Sequence, residues 1–150
     1  HHQQGAQLDH RLQADRLDQA AIMLGQVGPP GAEQDDEVGA GLFDQVATTA
    51  REHADTIAER IATLGGTAEG TARVAAKQSM LKEYPLDIVD GRAHVSALAD
   101  ALAAFGANVR RNIDEAVEAG DQGTADLFTE VSRSIDKTLW FVEAHGQAKA

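Results

Sequence analysis

Two carboxylates one helical turn apart, Asp55 and Glu59, are the residues of this chain best placed by type and spacing to do chemistry. An i, i+4 pair lies on one face of a helix, and its oxygens suit a hard cation. The competing explanation is a solvated, charge-bearing surface, since Glu52 and Arg60 stand on the same segment. His53 adjoins the pair and reads as a surface or interface histidine, as do His94 and His145 near helix ends. His1, His2 and His10 could take up metal only adventitiously. Asp121 and Asp126 read as surface carboxylates, and Asp126 suits the first turn of a helix, where the dipole favours an acid. Trp140, the single tryptophan, stands on a segment rich in Leu and Phe and is expected to pack in the core or at an interface. The sequence has no defensible Ser-His-Asp or Cys-His arrangement. Gly65-Gly66 lacks the preceding strand and following Lys-Ser/Thr of a phosphate loop.

The composition limits what such residues can serve. At 150 residues the chain has the length of one domain, taken here as residues 1–150, and can bury a core. Only 4% of it is aromatic against 43% hydrophobic, so Ala, Val, Leu and Ile do the packing, and with three prolines helices are favoured over a β-sandwich. No apolar run approaches the roughly 18–20 residues of a membrane span, and no secretory signal is recognisable. A cytoplasmic location is the expectation. The absence of cysteine removes disulfides and thiolate chemistry. With 13 basic against 24 acidic residues, a net charge of −11, four dispersed lysines and no basic tail, DNA binding by the folded body is not expected. An acidic assembly suits cations better than polyanions.

The elements that must position these residues follow from periodicity. Leu42, Val46, Ile57, Ile61 and Leu64 share a broad helical face that Gly65-Gly66 ends as a C-cap. A second helix runs from an Asp90 N-cap through Val95, Leu98, Leu102, Phe105, Val109, Ile113 and Val117 to Gly120. A third begins with Thr124 as N-cap and carries Leu127, Phe128, Val131, Ile135, Leu139 and Val142. The long connection 67–87 has helical character around Arg73 to Met80 and breaks at Tyr84-Pro85. Upstream, Ala6 to Leu24 can form a helix, whereas Gly25 to Gly41 reads as a polar linker with Pro29-Pro30 and Gly39-Ala40-Gly41. The expectation is an all-α, ferritin-like four-helix bundle with a short extra helix in its long crossover connection.

From Leu42 onward the chain resembles the Dps-type mini-ferritins. The resemblance is carried by Leu42-Phe43-Asp44, by Ala54 to Gly66 around Asp55-Thr56-Ile57-Ala58-Glu59-Arg60, by Tyr84-Pro85-Leu86-Asp87-Ile88, by Thr124-Ala125-Asp126 within 121–133, and by Asp136-Lys137-Thr138-Leu139-Trp140-Phe141. It implies a dodecameric cage of identical subunits that oxidises Fe(II) with hydrogen peroxide or oxygen and stores ferric mineral. It places the iron site between subunits, with histidines and an aspartate from one and an Asp-x-x-x-Glu pair from the other. Asp44 then matches the aspartate, and Asp55 with Glu59 matches the pair. The resemblance also makes Asp121 and Asp126 acids of a cation pore, and Trp140 an aromatic near the iron.

The match is divided. The family's imidazoles fall at positions 40 and 28, which hold Ala40 and Gly28, and residues 1–41 fit the family poorly. The implied activity is a ferroxidase; the alternative is a non-enzymatic shell that has lost those histidines. A shift of reading frame upstream of Leu42 would also give this abrupt change, and tryptic peptides matching Leu17 to Arg51 as written would exclude it.

Overall fold

A computed structural model describes the backbone of residues 37–147 and the side chains from Gly41 onward. Among these residues there are four helices and no strand: α1 (Glu37–Thr63), α2 (Ala72–Gln78), α3 (Gly91–Glu118) and α4 (Gln122–Gln147). The helix expected over Ala6 to Leu24 lies outside the described residues. The short helix expected in the connection is α2, begun by Thr71, whose hydroxyl accepts from the Val74 amide at 3.4 Å.

Helices α1 and α3 end as their glycines require. The Gly66 amide donates to the Ile61 carbonyl at 2.9 Å and Gly65 to Ala62 at 3.0 Å, the paired bonds of a Schellman cap. Gly65 sits at φ 82°, where a Cβ is strained. The end of α3 repeats the device, with Asp121 donating to Ala116, Gly120 to Val117, and Gly120 at φ 74°. Asp90 caps α3 as expected, accepting from the Arg92 amide at 3.2 Å.

Two boundaries differ from the sequence expectation. Helix α1 begins at Glu37 and runs through Gly39-Ala40-Gly41, which read as linker. Each glycine costs about 1 kcal/mol in a helix relative to alanine, and the burial of Leu42, Phe43 and Val46 immediately downstream outweighs it. Helix α4 is capped by Asp121, three residues before the expected Thr124: its carboxylate accepts from the Thr124 amide at 3.0 Å. Thr124 is itself buried and donates its hydroxyl to Asp121 at 2.6 Å.

The helix order follows from who meets whom. A Cβ on Gly106 would lie 3.4 Å from Ile135, and one on Gly146 would lie 3.3 Å from Val95, so α3 and α4 run antiparallel in close contact. His53 meets Ser134 and Arg60 meets Thr124, so α1 is also antiparallel to α4. Helices α1 and α3 are therefore parallel, and residues 64–90 must return over the length of α1, about 40 Å at 1.5 Å per residue. That crossover is the ferritin-like connection. The core lies between the three long helices: Leu42, Phe43, Val46, Ile57 and Ile61 from α1, Leu98, Leu102, Phe105 and Val109 from α3, and Phe128, Val131, Ile135 and Val142 from α4.

One polar junction fastens the end of α1 to the start of α4. Arg60 donates from Nη2 to Asp121 at 3.0 Å and from Nε to Thr124 at 3.2 Å. Gly123 leaves room for it, since a Cβ there would stand 2.8 Å from the guanidinium. Asp121 thus caps a helix, accepts the Thr124 hydroxyl and pairs with Arg60. Asp121→Ala removes all three and is expected to cost about 2 kcal/mol. Asp121→Asn, which keeps a capping oxygen, should cost clearly less; equal thermal unfolding midpoints for the two variants would contradict this account.

Candidate functional site

The carboxylates picked out in the sequence share the outer surface of α1. Asp44, Asp55 and Glu59 are all exposed, while Leu42, Phe43, Val46, Ala54, Ile57 and Ile61 turn inward. At 100° per residue, the eleven-residue step from Asp44 to Asp55 returns to nearly the same azimuth. The step also carries it about 16 Å along the axis. Asp55 and Glu59 are neighbours one turn apart. Metal–oxygen bonds are about 2 Å long, so one ion can be shared by Asp55 and Glu59 but never also by Asp44 of the same chain. Among the described residues no group of three or more His, Cys, Asp or Glu side chains could hold a metal ion. A site using all three residues must draw on two chains. A second α1 laid antiparallel across the first would bring Asp44 of each opposite the acidic pair of the other.

The position of Ala40 lies one turn before Asp44 on the backbone of α1, and Gly28 lies outside the described residues. His53, two residues before Asp55, points the other way. It is half-buried and shares a 2.7 Å hydrogen bond between Nε2 and Ser134 Oγ on α4. Of the two acids expected at a pore, Asp121 is committed to the junction with Arg60, its side chain 17% exposed. Asp126 is exposed and accepts from Gln122 Nε2 at 2.9 Å.

Trp140 does not enter the core of this chain. It is 63% exposed, on the side of α4 away from Val131, Ile135 and Val142, and meets the Phe141 ring at 5.9 Å. His94, expected at the surface, is buried at 3% exposure. Its spacing already carried that signal, because 94, 98, 102, 105, 109, 112 and 116 form one buried stripe of α3. The imidazole is hydrogen-bonded through Nδ1 to the Tyr84 hydroxyl, so a polar residue continues an apolar face.

Known proteins resemble this chain in sequence and in fold. The Ferritin-like domain family matches residues 35–148. A relative from Agrobacterium fabrum named DNA protection during starvation protein is 45% identical over 109 residues, covering 73% of this chain and 67% of that protein. The solved structure of DpsC from Streptomyces coelicolor superposes with a TM-score of 0.82 at 25% identity, covering 94% of this chain and 85% of that one. The Vibrio cholerae Dps structure, described as a member of a broad superfamily of ferritin-like diiron-carboxylate proteins, gives 0.81 at 24% identity over 93% of this chain and 90% of its own.

The helix that carries the carboxylates leaves a pH signature. Burial holds the pKa of His53 below its ordinary 6.5, outweighing Glu130 and Glu52, which pull it upward. The unfolded chain therefore accepts a proton that the folded chain resists. The stability due to neutral His53 is fully present above pH 6.5 and is lost as the pH falls through 6.5 towards the depressed folded value. The unfolding temperature should fall further between pH 7.5 and 5.5 in the native chain than in His53→Gln. Identical shifts would show that the imidazole titrates as freely folded as unfolded.

Proposed function

The chain belongs to the ferritin-like family and, within it, to the DNA protection during starvation proteins, and from that premise we propose that it is an iron-handling subunit of a homo-oligomeric, dodecameric cage. Iron is the substrate and cargo. Fe(II) is oxidised at sites shared between subunits, and ferric mineral is stored inside. The observation that carries the reading is the placement of Asp44 and the Asp55–Glu59 pair on one exposed face of α1, too far apart to serve one ion within a single chain. Leu86 and Val89 on the crossover, 91% and 92% exposed, and Trp140 on α4 supply apolar surface that neighbouring subunits would cover.

The chemistry fits these side chains. Carboxylate oxygens are hard ligands for Fe(II), and a sparsely filled site leaves coordination positions open to an oxidant. Asp55 and Glu59 would hold iron from one subunit and Asp44 from the other. Two Fe(II) held together give one electron each to a single peroxide. Its O–O bond is then cleaved to two waters with two protons, and no hydroxyl radical leaves the site. Asp126, together with Asp121, would draw cations inward where copies meet, since repeated carboxylates focus negative potential. DNA binding forms no part of this function, because the charge of −11 opposes it.

A second reading has its own observation. Ala40 and Gly28 stand where the family's imidazoles fall, which favours a shell without ferroxidase activity. The two readings separate when Fe(II) oxidation by stoichiometric peroxide is followed optically beside an Asp55→Ala/Glu59→Ala variant. The ferroxidase predicts oxidation well above buffer. It also predicts a fall in the variant at least as large as the roughly 10- to 100-fold that changes outside the ligand shell cost. Oxidation no faster than buffer would establish the shell.

A further inference from the structure

The outer groove between α1 and α4 holds a cavity of about 310 Å³ that lies off the carboxylate face. Thr49, on its α1 wall, stands about 140° round the helix from Asp44. Leu42 and Val46 of α1, both buried, and Phe141 of α4, 42% exposed, make its floor apolar. Thr49, Ser134, Thr138 and Lys137 add three hydroxyls and one ammonium. An apolar floor with a few polar groups is the usual make-up of a small-molecule site, and the volume is at the low end for one.

Part of this polar set is already used within the chain. Ser134 Oγ is hydrogen-bonded to His53 Nε2 at 2.7 Å, and the Thr138 hydroxyl donates to the Ser134 carbonyl at 2.8 Å. Thr56, Thr63 and Thr129 likewise donate to the carbonyl four residues back. Thr49 does not. Among the described residues neither its hydroxyl nor the Lys137 ammonium has a hydrogen-bond or ion-pair partner. Two donors on opposite walls of one groove therefore await an acceptor. Water can serve them, but it gains nothing from the apolar floor between.

We propose that the α1–α4 groove binds a small monocarboxylate with an aromatic or branched apolar body. The carboxylate accepts charge-assisted hydrogen bonds from Lys137 and a further bond from the Thr49 hydroxyl. The body lies over Leu42, Val46 and Phe141, where burial of its apolar surface supplies most of the affinity. One negative charge is all the groove admits. It offers a single cation, whereas Glu52 and Glu130 lie close enough to His53 to act on its charge. A second negative charge on the ligand would meet repulsion without a partner. The site is independent of the Fe(II) reading and stands whether or not the protein oxidises iron.

The probe is para-trifluoromethylbenzoate, titrated with the assembled protein and followed by broadening of its fluorine resonance. A dissociation constant on the order of 1 mM is expected for a ligand of this size. Lys137→Met keeps the apolar stem, removes the charge and should weaken binding about 5-fold. Thr49→Leu deletes the hydroxyl, fills the groove and should abolish binding. The neutral para-trifluoromethylbenzamide should bind the native chain about 5-fold more weakly than the benzoate, and Lys137→Met should not weaken it further. Both substituted residues lie outside the core, and circular dichroism checks that the variants fold. Unchanged benzoate affinity in either variant overturns the proposal, as does the absence of broadening at about tenfold higher concentration. Displacement of the probe by equimolar inorganic phosphate also overturns it, because the groove would then select charge alone.

Discussion

A helix turns 100° per residue, and on α1 that angle separates two jobs that one segment must do at once. Leu42, Phe43, Val46, Ala50, Ala54, Ile57 and Ile61 fill the bundle, while Asp44, Asp55 and Glu59 stay outside it. Burying one such aliphatic or aromatic side chain contributes about 1.5–3 kcal/mol, so the inner stripe holds α1 in a single rotation about its axis. The outer carboxylates inherit that fixed orientation. A slip by one residue would turn acids towards the core, where an unpaired charge is prohibitively costly.

Rotation alone does not fix the ends of α1, and there the structure relies on polar contacts. Arg60 follows Glu59 directly and is held by Asp121 and Thr124 of α4. The last turn of α1 is thereby tied to the start of α4, just after the Schellman turn at Gly120. Farther back, Phe43 lies against His94, and His94 binds Tyr84 of the crossover. The turns bearing Asp44 and Glu59 each have a neighbour that anchors them to another element. The two ends of the carboxylate face are thus set at a fixed separation.

Much of this was legible in the sequence. Apolar spacing located the three long helices, and Gly65 and Gly120 marked the ends of α1 and α3 because a left-handed residue closes such a cap. The Tyr84-Pro85 break and the helical turn before it were readable for the same local reasons. What escaped was decided at a distance. Thr124 and Asp121 are both good capping residues, and the choice between them depends on Arg60, sixty residues away. His94 looked like a surface residue because its type is polar, although its spacing belonged to the buried stripe of α3. Trp140 left core and interface both open because its type is apolar, and its azimuth on α4, which faces outward, removes the core. In both cases position on the helix carried more information than residue type. The proposed site was half-legible: the Asp55–Glu59 pair can be read along one chain, but a centre that another copy would complete leaves no local periodicity to read.

The most direct test of the central claim is crystallographic. Crystals of the assembled protein soaked anaerobically in Fe(II) and measured at the iron absorption edge would locate the metal without reference to activity. The account predicts anomalous density between Asp44 of one subunit and the acidic pair, Asp55 and Glu59 of the partner subunit. Iron held by a single chain, or absent from the face of α1, would contradict it.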